Sequence, residues 1–173
     1  NQGYFVNGVA AGLCTRTNRM GFVAGLPFGS VLLNVNSFLL GCRRTNSRAT
    51  AQVIFTGGRV ETARGVAATN ALVEAACDVI TCHLDAPKAV MATAEARGAR
   101  TCGHAFDQTP LAPRGYLTGA DYRWGDMLTG FVEARRTGSP LPAFLTGGYD
   151  RDYVRSSPFG AGATAAAIAA ANG

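Results

Sequence analysis

Short, continuously apolar segments alternate with longer segments of helical spacing, and this alternation constrains the fold more than any other feature of the chain. The apolar segments predict strands at 20–25, 51–55, 78–82 and 99–103. The intervening segments predict helices at 3–15, 30–43, 62–76 and 87–97. Strands that are apolar throughout are typical of a parallel sheet covered on both faces. The sequence therefore predicts an α/β fold, a parallel sheet flanked by helices.

Four loops follow the predicted strands, at 26–29, 56–59, 83–85 and 104–107. In open parallel sheets ligands bind beyond the carboxyl ends of the strands. Helix N-termini follow the first three loops and offer backbone N–H groups to a polar ligand. The sequence predicts a ligand site at this edge of the sheet.

Composition argues against several classes of protein. Hydrophobic residues make up 47% of the chain, enough for a packed core. The net charge of +5 is spread along the chain, whereas nucleic-acid binding calls for a clustered basic stripe. An odd count of 5 cysteines without regular spacing favours buried thiols over a disulfide framework. No apolar run is long enough to predict a membrane span.

The common enzyme motifs are missing from the sequence. The segment "GFVAGLPFG" matches neither a dinucleotide fingerprint nor a Walker loop. No serine lies in a G-x-S-x-G elbow, and two histidines leave few candidates for a general base. These observations weaken an enzymatic interpretation, and no cofactor is predicted.

One possible metal site combines Cys82, His83, Cys102 and His104, which all lie near the carboxyl ends of two predicted strands. Side chains alternate along a strand, so Cys82 and His83 should point to opposite faces. A closed four-ligand zinc site would need a bend after Cys82. Buried cysteines beside histidines at the edge are the simpler interpretation.

Asp85 and Asp107 both follow strand ends and could accept hydrogen bonds from a ligand. The alternatives are a helix N-cap for Asp85 and an Asx-turn for Asp107. Trp124 could pack in the core or stack on a flat ligand. The polar and aromatic run 121–124 suits the wall of a cleft.

Several ordered motifs resemble the basic membrane protein family, the substrate-binding proteins of ABC importers that include purine nucleoside receptor lipoproteins. They are "GYFVNGVAAGLCTRTNRMGFVAGLP", "TGGRVETARGVAATNALVEAACDVITCHLDAPKAV" and "LTGADYRWGDM". The resemblance extends from Gly3 to about Phe159. It implies a type I periplasmic-binding-protein-like fold with two α/β lobes, of which this chain carries mostly the second.

The resemblance also divides the chain. Residues 1–19 would be the last helix of the first lobe and the hinge entry, and 20–116 the second lobe. Residues 117–138 would return over the hinge, with 117–120 as the crossing and a first-lobe helix from Trp124, and 139–173 would close the fold. Much of the first lobe is absent from the sequence, so the chain is either a fragment or a half-receptor.

The resemblance implies a purine base or nucleoside held between the lobes. The expected ligand-binding residues are Phe28, Asn36, Arg59, His83, Asp85, Asp107 and Trp124. Three positions depart from the family pattern. Ala105 stands where an aspartate is expected, which weakens the case for ribose recognition; Arg59 replaces an aromatic residue, and Leu33 a basic one.

A binding protein that closes around its ligand without chemical turnover is the favoured function. An ABC transporter permease would be its partner, with no nucleic acid, and a lipid anchor outside this chain would be its only membrane attachment. Its location would be periplasmic or at the cell surface. The alternatives are an effector-binding domain of a regulator, or an enzyme of the Rossmann or flavodoxin-like class.

Overall fold

A computed structural model describes residues 1–58, 60–141 and 143–172 of the chain. The helices are α1 (Gln2–Cys14), α2 (Gly29–Thr45), α3 (Thr62–Glu74), α4 (Lys88–Ala96), α5 (Trp124–Thr137) and α6 (Ala165–Asn172). The strands are β1 (Arg19–Ala24), β2 (Thr50–Phe55), β3 (Val79–His83), β4 (Arg100–Ala105), β5 (Tyr116–Tyr122) and β6 (Val154–Ser156). Short 3₁₀ turns lie at Thr109–Leu111 and Tyr149–Arg151. Within the described residues no helix is both long and apolar enough to cross a bilayer.

The six strands form one sheet in the order β2-β1-β3-β4-β5-β6. The first five are parallel, and β6 runs antiparallel to β5. The predicted parallel sheet is confirmed, and the four strands predicted in 20–103 each lie within two residues of their expected positions. The segment 117–120, expected as a hinge crossing, is part of β5, and the division of the chain into lobes and hinge remains a prediction.

Helices cover the sheet on both faces, as the apolar strands require. On one face Tyr4 of α1 and Phe38 of α2 pack against Phe22 of β1. On the other face Leu72 of α3 and Met91 of α4 pack in the same cluster as core residues of β1 and β3. Burial on both faces accounts for the mostly apolar sequences of the central strands β1 and β3.

Helices α1 and α2 meet backbone to backbone. A Cβ atom on Gly8 would overlap the Phe38 carbonyl oxygen, and one on Gly41 would overlap the Phe5 carbonyl. Both positions therefore require glycine for reasons of space alone. This contact fixes α2, and with it the first turn after β1, relative to the carboxyl edge of the sheet.

Helix α5 is packed much less closely than the others. Trp124, Leu128 and Val132 repeat every four residues on α5 and are 58%, 60% and 64% exposed. No residue of α5, all of whose positions are described, is buried. The helix therefore presents an apolar stripe at the end of β5 that the described residues leave exposed.

Candidate functional site

Three of the predicted ligand-binding residues line one cavity at the carboxyl edge of the sheet. The cavity of about 140 Å³ is lined by Gly25, Leu26, Phe28, Ser30, Val31, His83 and Asp85. Phe28 precedes α2 and is 48% exposed, while Asp85 follows β3 and is also exposed. The parallel pairing of β1 with β3 places these two loops side by side. An aromatic face, an imidazole and a carboxylate thus share one concave surface.

His83 lies in a group of aromatic rings on the α1 face of the sheet. Its ring centroid is 4.4 Å from that of His104 on β4 and 6.1 Å from that of Tyr4 on α1. The Tyr4 hydroxyl donates to the Cys82 carbonyl oxygen at 2.7 Å, which fixes the tyrosine ring at the end of β3. The two histidines predicted at neighbouring strand ends are therefore in contact.

Asn34 on α2 connects this group to β5. Its side-chain nitrogen Nδ2 lies 3.2 Å from His83 Nδ1, and its side chain also hydrogen-bonds with Tyr122. Asn34 is only 6% exposed. An amide nitrogen can only donate, so His83 Nδ1 accepts and the neutral ring carries its hydrogen on Nε2.

The sequence analysis selected Asn36 on this helix rather than Asn34. Asn36 is exposed, because two residues along a helix turn the side chain by roughly 200°. The buried positions Val31, Asn34 and Phe38 have the i, i+3, i+7 spacing of a core-facing stripe. That spacing is the signal that would have identified Asn34, and a ligand contact by Asn36 remains a prediction.

His104 is a buried imidazole with unused hydrogen-bonding capacity. It is 6% exposed, and its Nδ1 atom has no partner among the described residues. Burial, with a smaller contribution from the neighbouring His83, lowers the pKa of His104 to about 3. The ring is therefore neutral at ordinary pH.

Trp124 continues the aromatic group beyond β5. The Tyr122 ring meets His104 edge-on at 5.5 Å and Trp124 at 5.7 Å. Trp124 begins α5 and is 58% exposed, so it is available at the edge rather than packed in the core. A role of 121–124 as the wall of a cleft remains a prediction.

Asp107 forms the Asx-turn that the sequence analysis gave as the alternative to a ligand contact. Its Oδ1 atom accepts from the Thr109 backbone N–H at 2.9 Å and from the Thr109 hydroxyl at 2.6 Å. No side-chain cap from Asp85 is found at α4, whose cap position is Pro87. Arg59 lies outside the described residues, so its predicted stacking on a base remains a prediction.

The strand geometry separates the four residues tested as a zinc site. Cys82 belongs to the core cluster beneath α3 and α4, whereas Cys102 belongs to the cluster beneath α1 and α2. His83 contacts Tyr4 on the α1 side, opposite Cys82. The described residues contain no group of three or more histidine, cysteine, aspartate or glutamate side chains placed to bind a metal.

A second polar group lies at the end of β5. The Ser157 hydroxyl donates to Asp121 Oδ1 at 2.9 Å, and the Tyr116 hydroxyl hydrogen-bonds with Ser157. Burial raises the pKa of Asp121; the bond from Ser157 opposes this, and the nearby Asp107 carboxylate adds to it. Asp121 was noted in the sequence only as part of a cleft wall.

A larger cavity lies at the opposite edge of the sheet. It measures about 380 Å³, and its charged lining residues are Arg16, Asp78, Glu95, Arg100 and Arg114. Asp78 and Arg100 lie at the amino ends of β3 and β4. None of the residues selected from the sequence lines this cavity.

Comparison with protein families places the chain among transport proteins. The family model Bmp, described as ABC transporter substrate-binding protein PnrA-like, matches residues 1–139. A purine-binding protein of Brucella abortus is 27% identical over 158 residues, which are 91% of this chain and 45% of that protein. A putative ABC transporter glucose-binding protein of Haloferax volcanii is 30% identical over 135 residues, which are 78% of this chain and 34% of that protein.

Solved structures share the fold. A transcriptional activator of the comK gene from Bacillus halodurans matches with a TM-score of 0.86 and 20% identity, over 99% of this chain and 59% of that one. An ABC transporter solute-binding protein from Conexibacter woesei matches with a TM-score of 0.78 and 18% identity, over 99% and 58%. The chain thus spans 34% to 59% of the length of these four proteins. The predicted type I periplasmic-binding-protein-like fold is confirmed.

Proposed function

Because the chain belongs to the family of PnrA-like ABC transporter substrate-binding proteins, we propose that it binds a purine base or nucleoside for delivery to an importer permease. This family consists of binding proteins rather than enzymes, so the ligand is held and released unchanged. The proposed place of work is outside the cytoplasm, periplasmic or at the cell surface, with membrane attachment through a lipid anchor.

The observation that carries the proposal is the shared cavity of Phe28, His83 and Asp85. A half-exposed phenylalanine provides a face on which a flat ring stacks. A carboxylate accepts hydrogen bonds from ring or exocyclic N–H groups, which a purine has and a hexose lacks. The name of the Brucella relative supports a purine, whereas the name of the Haloferax relative makes a sugar the main rival.

His83 would contribute a directed donor to the same ligand. Since Asn34 donates to Nδ1, the imidazole hydrogen lies on Nε2. A ring nitrogen or carbonyl oxygen of a purine is a suitable acceptor for such a donor. One heterocycle would thus stack its face on Phe28, accept a hydrogen bond from His83 and donate one to Asp85.

The cavity supplies only part of a ligand site. Its volume of about 140 Å³ is below the range of roughly 300–1,000 Å³ that is usual for ligand pockets. In proteins that close by a hinge, the ligand is enclosed when two lobes meet around it. We therefore expect a second wall to come from outside this chain and to complete the site.

The test is calorimetric titration of the full-length protein with adenine, hypoxanthine, adenosine, guanosine and D-glucose. Phe28→Ala should weaken purine binding at least about 10-fold, a loss of about 1.4 kcal/mol, because the stacking surface is removed. Phe144→Ala is the matched control, since Phe144 is 87% exposed and lies outside the cavity.

Binding of D-glucose with no heat from any purine would refute the purine assignment and leave the family assignment intact. Equal losses for Phe28→Ala and Phe144→Ala would instead refute the proposed location of the ligand. Purine binding that is retained in both variants would also refute the proposed location of the ligand.

A further inference from the structure

The amino edge of the sheet carries the whole net charge of the chain. Five segments make up this edge, at 14–19, 43–50, 74–78, 95–100 and 112–115, where helices or turns end and strands begin. They contain eight arginines and three acidic residues, a net charge of +5. The other eight of the 16 basic residues and the other eight of the 11 acidic residues cancel. We call this surface the basic face.

The parallel topology gathers these segments, although they are far apart in the sequence. Each of the strands β1–β5 begins at this edge. The Asn46 side-chain amide donates to Asn18 Oδ1 at 2.8 Å and joins the segments that precede β2 and β1. Arg100 of β4 donates to the Cys14 carbonyl oxygen at 2.6 Å and joins β4 to the end of α1. A charge that is scattered in the sequence therefore becomes one continuous surface in the fold.

The acidic residues of the basic face are turned toward the protein. Asp78 accepts hydrogen bonds from a backbone N–H and two threonine hydroxyls, and Glu95 accepts from two backbone N–H groups and the Arg114 guanidinium. The third acid, Glu74, pairs with Arg97 at 3.8 Å. Seven of the eight arginines are exposed, whereas Asp78 and Glu95 are partly buried. The outer side of this edge is therefore dominated by positive charge.

Three of the exposed arginines are not used by the fold. The guanidinium groups of Arg16, Arg44 and Arg48 make no hydrogen bond or ion pair within the described residues. A guanidinium group presents its N–H donors in a planar fork that matches the oxygen atoms of a phosphate group. The basic face therefore offers unused donors that suit phosphate-bearing anions.

The extent of the basic face suits a layer of anions better than one small ligand. Five strands at a spacing of about 4.8 Å make the edge about 20 Å wide, and arginines come from helix ends as well as strand starts. A single phosphate reaches only a few of them, whereas a layer of headgroups reaches all that face it. The five segments contain no aromatic residue, so they lack the stacking groups typical of single-strand nucleic-acid sites.

We infer that the basic face docks on the anionic phosphate headgroups of a lipid bilayer. Each arginine close to an anionic membrane contributes to binding, and salt screens this contribution. The resemblance to receptor lipoproteins implied a lipid anchor as the only membrane attachment. One acyl chain by itself holds a protein only reversibly, and a basic patch is the kind of second contact that makes such attachment stable.

Docking through this face leaves the proposed ligand cavity uncovered. Strands β1 and β3 contain 6 and 5 residues, so they separate the two edges of the sheet by about 20 Å. The cavity of Phe28, His83 and Asp85 lies at the far end of these strands. Membrane contact and ligand binding are therefore separate properties of the domain, and each can be measured without the other.

The experiment is co-sedimentation of the full-length protein, prepared without any acyl group, with lipid vesicles. One set contains phosphatidylcholine alone, and the other contains about 30% phosphatidylglycerol, which supplies anionic headgroups. The protein should bind the anionic vesicles at least about 10-fold more tightly than the neutral ones. Raising NaCl from about 0.1 M to about 1 M shortens the screening length from about 10 Å to about 3 Å and should release it.

A triple variant locates the contact on the basic face. Arg16→Gln, Arg44→Gln and Arg48→Gln together remove the three unused guanidinium groups and should weaken binding to anionic vesicles about 10- to 100-fold. Purine affinity, measured by calorimetry, should stay within about 2-fold of the wild type, because these residues lie at the opposite edge from the cavity.

The matched control removes the same number of positive charges from other parts of the chain. It combines Lys88→Gln, Arg135→Gln and Arg151→Gln, whose side chains are also exposed. This variant should bind anionic vesicles within about 3-fold of the wild type, since charges beyond the screening length contribute little. Thermal unfolding of both variants shows that they are folded at the temperature of the binding assay.

The outcomes separate this inference from the proposed function. Equal binding of the wild type to neutral and anionic vesicles would overturn the inference and leave an acidic protein surface as the better occupant. Equal losses in the two triple variants would also overturn it, because net charge rather than the basic face would then govern binding. A loss confined to the Arg16, Arg44 and Arg48 variant, reversed by salt in the wild type, supports it. Absence of purine binding by the wild type would refute the proposed function and leave this inference intact.

Discussion

The two edges of the sheet both carry charged residues and a cavity, but they use their hydrogen bonds differently. At the amino edge Asp78 Oδ2 accepts from the Arg16 backbone N–H at 2.6 Å, and Glu95 Oε2 accepts from the Gly115 backbone N–H at 2.9 Å. Arg100 donates to the Cys14 carbonyl at 2.6 Å. These charged groups serve to close loops onto the sheet.

At the carboxyl edge the polar groups are less fully occupied by the protein itself. His104 Nδ1 and Gln108 Oε1 lack partners within the described residues, and Asp121 has one anchored oxygen. The cavity there is smaller than the one at the amino edge, about 140 Å³ against about 380 Å³. Cavity size therefore favours the amino edge, whereas the topology of parallel sheets favours the carboxyl edge.

The largest expected effect concerns the buried imidazole of the carboxyl edge. With a pKa of about 3, His104 stays neutral in the folded protein, while in the unfolded chain it binds a proton below its usual pKa near 6.5. Stability is therefore complete above about pH 6.5 and is lost as the pH falls toward 3, by about 3 kcal/mol at pH 4. Urea unfolding at pH 7 and pH 4 measures the loss.

The His104→Gln variant isolates this contribution, because the carboxylates that also titrate in this range are common to both proteins. The variant should lose about 3 kcal/mol less than the wild type between the two pH values. The same pH dependence in both proteins would contradict the burial of His104 as a neutral ring.

The next effect tests the structural role of the amino edge. Asp78→Ala removes the acceptor of the Arg16 N–H and of the Thr15 and Thr17 hydroxyls. It should lower the free energy of unfolding by about 2 kcal/mol, because several donors lose a charged partner. Ligand affinity should be unchanged, since the cavity at this edge is assigned no ligand.

Asp126→Ala serves as its control and should cost under about 1 kcal/mol, because Asp126 takes part in an exposed ion pair. A loss of ligand binding in Asp78→Ala, measured at a temperature where the variant is folded, would show that the amino edge contributes to ligand binding. It would contradict a purely structural role for Asp78.

A smaller effect distinguishes two asparagines of α2. Asn34→Ala removes the partner of His83 and Tyr122, so it should weaken ligand binding about 5- to 10-fold, or about 1 kcal/mol. Asn36→Ala, the matched variant on the exposed face, should bind within about 2-fold of the wild type. Calorimetry with the ligand found for the wild type decides between them. A larger loss for Asn36 would favour the residue chosen by family resemblance.

The smallest effect concerns an arginine at the rim of the larger cavity. The Arg114 side chain is 79% exposed and pairs with Glu95 at 2.8 Å. Arg114→Ala should lower stability by about 0.5 kcal/mol and leave ligand binding unaffected, because the backbone N–H groups that hold Glu95 remain. Thermal unfolding at low and high salt measures the change; a drop in ligand affinity would assign the larger cavity a role in binding.

The sheet was predictable from sequence because each of its first four strands is a short, mostly apolar segment between helical segments. The edge carrying Phe28, His83 and Asp85 followed from that topology alone. No comparable pattern in the sequence predicts which side chains from distant segments contact each other. The Asp121 carboxylate is anchored by Ser157, 36 positions away, and its place beside β4 depends on a register that shifts between Thr101 and Gly103.

The sequence also did not predict local details that depend on the position of a single residue, such as the direction of a side chain. Helix α2 begins at Gly29, after a cap position at Phe28, rather than at the expected Ser30. The core-facing stripe of the helix contains Asn34, and family resemblance pointed to Asn36 instead. Asp107 could be a ligand contact or a turn residue by sequence, and only the position of Thr109 shows that it makes the turn.

The glycine contact between α1 and α2 limits how this site can be altered. Where helices are separated by side chains, their spacing changes when those side chains change. Here Gly8 and Gly41 already bring main chain against main chain, so no smaller residue exists and any larger one forces the helices apart. A change of ligand preference would therefore have to come from side chains in the loops at the carboxyl edge. The spacing of α1 and α2 cannot change without disrupting one helical layer of the domain.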